Sequence, residues 1–143
     1  MKKHAHLKVA DYPLSEKRAD LIQTRTGKPL DAITVDALKS GAVGMDDLRI
    51  TQDALLMQAE IAEAAGRPRL GENFQRAAEM VDVPQDVLLK AYELLRPGRA
   101  KSKAELLAAA ATMREIHKAE RIARFIEEAA ETYEARGLFT FRF

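Results

Sequence analysis

Residues 47–99 read DLRITQDALLMQAEIAEAAGRPRLGENFQRAAEMVDVPQDVLLKAYELLRPGR, and the punctuation of this stretch decides the fold. Thr51 is an N-cap: its hydroxyl can accept from the backbone N–H of Asp53 or Ala54, and Asp53 sits in the positive first turn. Leu55, Met57, Gln58, Ile61, Ala62 and Ala65 follow near a 3.6-residue spacing, and Gly66 ends the run as a left-handed cap. Pro68 can occupy the first turn of a second helix, where its missing N–H costs little. That helix runs to about Val81, with Leu70, Phe74, Ala77, Ala78 and Val81 on one face. Pro84 opens a third, with Val87, Leu88, Ala91, Tyr92 and Leu95 inward, and Pro97-Gly98 stops it. Short connections make such helices antiparallel neighbours. The stretch holds no cysteine, no histidine and no glycine-rich loop. It is well specified structurally and poor catalytically, the pattern of a chain that works by fitting against another protein.

Toward the C-terminus, Ser102 and Glu105 form a capping box, the serine reaching forward and the glutamate back. Leu106, Leu107, Ala110, Met113, Ile116, Ile122, Phe125, Ile126, Ala129 and Tyr133 then support helix as far as Arg136. The stripe thins near His117, which leaves a break there open, and Gly137 ends the run. The tail Leu138-Phe139-Thr140-Phe141-Arg142-Phe143 alternates apolar and polar residues: it is either a strand-like arm or an apolar tail in need of cover. Toward the N-terminus, Thr34 caps a short helix through Ser40, with Gly41 after it and Val35, Leu38 and Val43 expected to be buried. Met45–Leu48 makes a single turn, Thr26-Gly27-Lys28-Pro29 is a turn signal, and Leu21 and Ile22 can form one short turn. Residues 1–25 show no sustained period and read as an arm that is flexible unless docked. The expected architecture is all-α: an extended N-terminal arm (1–25), a helical domain (26–137) and a short apolar tail (138–143).

With 143 residues the chain suits one small domain. It has no tryptophan, and its core draws on Leu, Ile, Val, Met and abundant Ala. At roughly 25 cal/mol per Å² of buried apolar surface, an Ala-rich core stabilises less than a Leu-rich one, which points to stability shared with a partner. The 23 basic and 22 acidic residues nearly balance, which argues against nucleic acid as the main ligand. The absence of cysteine excludes a disulfide scaffold, a thiolate nucleophile and a Cys-based zinc site. Nothing resembles a signal peptide or membrane span, so the cytoplasm is the expected compartment and no membrane partner is expected.

Candidate chemistry is sparse. His4 and His6 lie two apart beside two lysines without further ligands, and His117 sits mid-helix among Glu115, Lys118 and Glu120 as an ordinary surface residue. Glu127 and Glu128 diverge by about 100° on a helix, and Glu60 with Glu63 makes a solvated face. No catalytic, cofactor-binding or metal-binding residues are therefore assigned. Interface roles fit better. Arg49, between the buried-looking Leu48 and Ile50, suits pairing with a carboxylate. Asn73 and Arg76 flank Phe74 and can do the same, and Tyr92 and Arg96 complete the candidate interface set. Arg96, Arg99, Lys101 and Lys103 form a basic cluster around Pro97-Gly98; it can bind a phosphate or an acidic partner surface, or favour the preceding helix C-terminus.

At these residues the chain resembles the small (gamma) subunit of adenosylcobalamin-dependent diol and glycerol dehydratases. The resemblance runs from Asp11-Tyr12-Pro13-Leu14 through Thr26-Gly27-Lys28-Pro29-Leu30 and Ile33-Thr34. It is densest in Asp47–Thr51, Gln58-Ala59, Ile61–Glu63, Ala65–Arg67, Asn73-Phe74, Arg76–Glu79, Val83-Pro84, Tyr92 and Leu95–Pro97. It continues, more weakly, through Glu105–Leu107, Phe125, Glu128-Ala129 and Tyr133, so it covers most of the chain. The resemblance implies a dimer of heterotrimers that turns 1,2-propanediol or glycerol into an aldehyde and water. A TIM-barrel large subunit would hold the substrate, and a medium subunit would help bind the adenosylcobalamin. The small subunit would be helical, would stabilise the large one and would supply no catalytic residue. Some relatives reside in bacterial microcompartments. The chain departs from the pattern at Phe139, Phe141 and Phe143, where a polar basic tail is usual, and at Pro97-Gly98-Arg99, where an aromatic-containing turn is usual. The rival reading is a free-standing helical adaptor or microcompartment-associated interaction protein.

Overall fold

The computed structural model describes residues 6–139. Eight α-helices stand among them: α1 (Leu14–Lys17), α2 (Val35–Lys39), α3 (Met45–Leu48), α4 (Gln52–Ala64), α5 (Pro68–Met80), α6 (Gln85–Leu95), α7 (Lys103–Glu115) and α8 (Glu120–Ala135). Single 3₁₀ turns occur at Val9–Asp11, Ala19–Leu21 and Leu30–Ala32, and no strand forms among the described residues. The protein is all-α. Its contacts divide at Val81/Asp82 into two compact units, a division inside the stretch expected to form one helical domain.

The first unit is built on the α4–α5 hairpin. Thr51 caps α4 by accepting from Ala54 N–H, Gly66 turns the chain at φ 71°, and Pro68 takes the first position of α5. Gly71 explains how close the two helices come. A Cβ built there would lie 2.8 Å from Cγ of Glu63 and 3.3 Å from the Ala59 carbonyl oxygen. Glu63 also accepts from Gln75 Nε2 at 2.8 Å, which ties the helices across that point. The N-terminal arm is docked. Leu7 and Leu14 are buried with Met57 and Ile61 of α4, Leu21 and Ile22 pack against the same cluster, and Leu7 N–H donates to Glu60 Oε2 at 3.1 Å. Two leucines seven residues apart, too sparse to show a period, anchor it by removing apolar surface from water.

The second unit is held chiefly by the α7–α8 hairpin. Leu106, Ala110, Ala123, Ile126 and Ala130 are fully buried and Met113 is 1 % exposed. Alanines at three of these positions let the helices pack tightly around the larger side chains. The break left open near His117 is real: α7 ends at Glu115 and Lys118 adopts φ 58° before α8 starts. Lys118 Nζ donates to the Glu115 carbonyl at 2.7 Å, and Ala119 N–H to that of Met113 at 2.9 Å, which satisfies groups freed at the helix end. Ser102 accepts from Glu105 N–H, but the Glu105 carboxylate reaches back to the N–H of Lys101, one residue before the cap.

Several expected core residues are on the surface. Val35 is 68 % and Leu38 48 % exposed; α2 is a single capped turn, and of the three only Val43 is buried. Leu48 and Ile50 are also exposed, as are Tyr92, Ile116 and Phe125. Periodicity reveals an apolar stripe but not whether a neighbour in the same chain covers it. Leu138 and Phe139 are half-buried, and Phe139 meets Tyr133 edge-to-face with ring centres 6.3 Å apart. Phe141 and Phe143, like His4, lie outside the described residues.

Candidate interaction surface

In the first unit several polar side chains converge on one buried carboxylate. Asp47, in the single turn α3, is buried. Its carboxylate accepts from Lys28 Nζ at 2.7 Å, Thr24 Oγ1 at 2.8 Å, the Thr26 hydroxyl, and the backbone N–H of Gly44 at 3.0 Å. The ammonium of Lys28, then the Thr26 hydroxyl and the Gly44 N–H, hold this carboxyl well below the usual carboxylate range. Thr24, Thr26 and Lys28 alternate around a turn closed by an isolated antiparallel bridge between Gln23 and Pro29. A period of two across a turn signal was the clue in the sequence, and reading residues 26–29 as a turn alone missed it.

In the second unit, Arg114 of α7 donates to two carboxylates of α8, Glu120 at 2.7 Å and Glu127 at 2.6 Å, and Arg124 shares Glu120 at 2.8 Å. Both carboxyls are held low, Arg114 being the first cause for each. Lys103 opens α7 and reaches Glu131 at 2.8 Å and Glu134 at 2.7 Å. Tyr133 donates its hydroxyl to the Leu95 carbonyl, fixing α8 against the end of α6. These pairs are spread over α7 and α8 and latch helices together.

The candidate interface residues fall in both units. Arg49 is exposed and pairs with Asp46 at 3.6 Å, a solvent-facing contact rather than one between buried neighbours. On α5 the Arg76 guanidinium donates to Asn73 Oδ1, with the half-buried Phe74 between them in sequence. On α6 Tyr92 is 62 % exposed, and Arg96, one turn on, pairs with Glu93 at 3.0 Å. The structure thus joins Asn73 to Arg76 on α5, while Tyr92 stands on α6 and Arg96, the residue that ends that helix, bonds to Glu93.

Several large apolar side chains are also exposed. Val35, Leu38, Met45, Leu48 and Ile50 are each about half exposed or more in the segment that leads into α4. Leu89, Tyr92, Leu107, Ile116 and Phe125 are exposed in the second unit. Isolated exposed apolar residues are ordinary, whereas five within sixteen positions are a concentration that makes this segment a candidate interaction surface. Among the described residues no helix is long and apolar enough to cross a membrane, and no group of three or more His, Cys, Asp or Glu is placed to hold a metal ion.

The family model described as dehydratase small subunit matches residues 7–140. The chain belongs to this family. Two relatives of the dehydratase small subunit are the propanediol dehydratase small subunits of Citrobacter freundii and Salmonella typhimurium strain LT2. Each is 45 % identical over 129 residues, covering 90 % of this chain and 74 % of the relative. The matched span begins at Leu7, the first buried residue of the docked arm, and takes in both helical units. A dehydratase small subunit is one chain of a multi-subunit enzyme.

Proposed function

We propose that this dehydratase small subunit is the non-catalytic component of an adenosylcobalamin-dependent diol dehydratase that converts 1,2-propanediol or glycerol to an aldehyde and water. Its role is to dock on the TIM-barrel large subunit and stabilise it within a dimer of heterotrimers that also contains a medium subunit. The observation that carries this reading is the cluster of exposed apolar side chains at Val35, Leu38, Met45, Leu48 and Ile50. These exposed side chains suit a partner surface, whereas several charged groups among the described residues are already engaged. Asp47, Lys103 and Arg114 each bond to neighbours in their own unit. They latch elements of this chain together, and in this reading the partner subunits bind the adenosylcobalamin. The relatives named for propanediol support the diol substrate. The site of action is a soluble complex in the cytoplasm or inside a bacterial microcompartment.

Co-expression with the large and medium subunits of a diol dehydratase tests the reading. Omitting this chain should lower both the yield of assembled enzyme and its diol dehydratase activity. Arg49→Ala should weaken assembly and leave the preference between propanediol and glycerol unchanged. Normal assembly and turnover of the other two subunits alone would overturn the proposal.

A further inference from the structure

The basic cluster around Pro97-Gly98 does not act as one patch. Arg96 pairs with Glu93 at 3.0 Å, and Lys103 is held between Glu131 and Glu134. That leaves Arg99 and Lys101, and neither forms an ion pair among the described residues. The two join Lys90 of α6, likewise without an ion pair, on the rim of a groove of about 710 Å³ between α6 and α7. Val87, Ala91 and Leu94 supply the α6 wall at helical spacing, and Ala108, Ala109 and Met113 supply the α7 wall. Asp86 and Glu105 also stand on the rim, but the Glu105 carboxylate is engaged by the N–H of Lys101 at 2.9 Å. An apolar floor with small side chains on one wall, bordered by three cations and two carboxylates and so left with a net positive rim, with none of the three cations in an ion pair among the described residues, is complementary to a helix with an apolar face flanked by carboxylates.

We propose that the α6–α7 groove is the seat of an acidic amphipathic helix belonging to a partner dehydratase subunit. This rests on the small-subunit function proposed above and names a surface and a partner chemistry for it. The apolar face of the incoming helix packs on Val87, Leu94 and the alanines of α7, where the small side chains permit close approach. Its carboxylates meet Lys90, Arg99 and Lys101, which steer the encounter and fix its register. Both anchors are needed: the cations alone would give a weak, salt-screened contact.

The test uses the full chain co-expressed with dehydratase large and medium subunits, with the photo-reactive residue p-benzoylphenylalanine in place of Asp86, an exposed position on the groove rim that is neither a small wall residue nor one of the three cations. Irradiation should join this position to a partner peptide with an apolar face bordered by Asp and Glu. The triple variant K90E/R99E/K101E, all at surface positions, should keep the wild-type circular dichroism spectrum and bind the partner subunits about tenfold more weakly. Cross-linking to a basic or non-helical segment, or unchanged affinity of the triple variant, overturns the inference. A complex that forms without labelling at the groove removes this inference alone. The absence of any complex removes the proposed function as well.

Discussion

Replacing Gly71 separates packing from helix propensity at the point where α4 and α5 come closest. Gly71 lies within α5 and has no positive φ, so its backbone does not require glycine. Alanine there should gain about 1 kcal/mol of helix propensity. Against this, the new methyl carbon would sit 2.8 Å from Cγ of Glu63 and 3.3 Å from the Ala59 carbonyl oxygen. Glu63 can swing aside, but this breaks its hydrogen bond to Gln75, at a cost of about 0.5 kcal/mol for an exposed pair. The Ala59 oxygen is backbone and moves only with the helix. Gly71→Ala should therefore be nearly neutral. Leucine has almost the same helix propensity as alanine, so the difference between the two variants reports packing alone. Its larger side chain is driven against α4, an overpacking cost of roughly 1–3 kcal/mol. For a unit of this size 1 kcal/mol shifts Tm by about 4–8 °C, so Gly71→Leu should melt roughly 5–20 °C below Gly71→Ala. Urea and thermal unfolding followed by circular dichroism give both numbers. Equal stability of the two variants, or a gain of the full 1 kcal/mol for each, would refute the close approach of α4 and α5.

Leu106→Ala removes a fully buried side chain from between α7 and α8 and should cost about 2–5 kcal/mol, visible as an earlier urea midpoint; a change below 1 kcal/mol would show that this core is not packed as described. Lys118→Gly should leave stability within about 0.5 kcal/mol of wild type: relief of the left-handed backbone at φ 58° is worth roughly 1–2 kcal/mol, and the greater freedom of unfolded glycine together with loss of the Nζ bond to the Glu115 carbonyl offsets it. A shift beyond about 1 kcal/mol in either direction in thermal melts would contradict that. Because Asp47 is held below its unfolded value, its contribution is fully present above about pH 4 and is lost as the pH falls further. The gap in urea midpoint between wild type and Asp47→Asn should thus narrow from pH 7 to pH 3, and a gap independent of pH would show that the carboxylate is not what the Lys28 cluster recognises.

Local chemistry carried much of the fold. Thr34, Thr51 and Ser102 cap helices because their hydroxyls meet N–H groups within three residues. Gly66 and Gly137 end helices because left-handed backbone favours glycine, and Pro68 opens one because its ring suits the first turn. Each of these causes lies within a few residues of its effect, so the sequence by itself determined them, as the order and spacing of its motifs determined the resemblance to dehydratase small subunits. What covers an apolar stripe is a matter of tertiary structure. Val35, Leu38, Tyr92 and Phe125 carry the same periodic signal as Leu55 and Ile126, yet only the latter two meet enough of this chain to be buried. The same holds for charge: Asp47 gathers Lys28 and two threonines from about twenty positions away, and Arg114 finds Glu127 on the next helix. Neighbour identity over such distances depends on how helices cross and turns fold back. Tertiary structure alone decided which cations were paired and which were left along the α6–α7 groove.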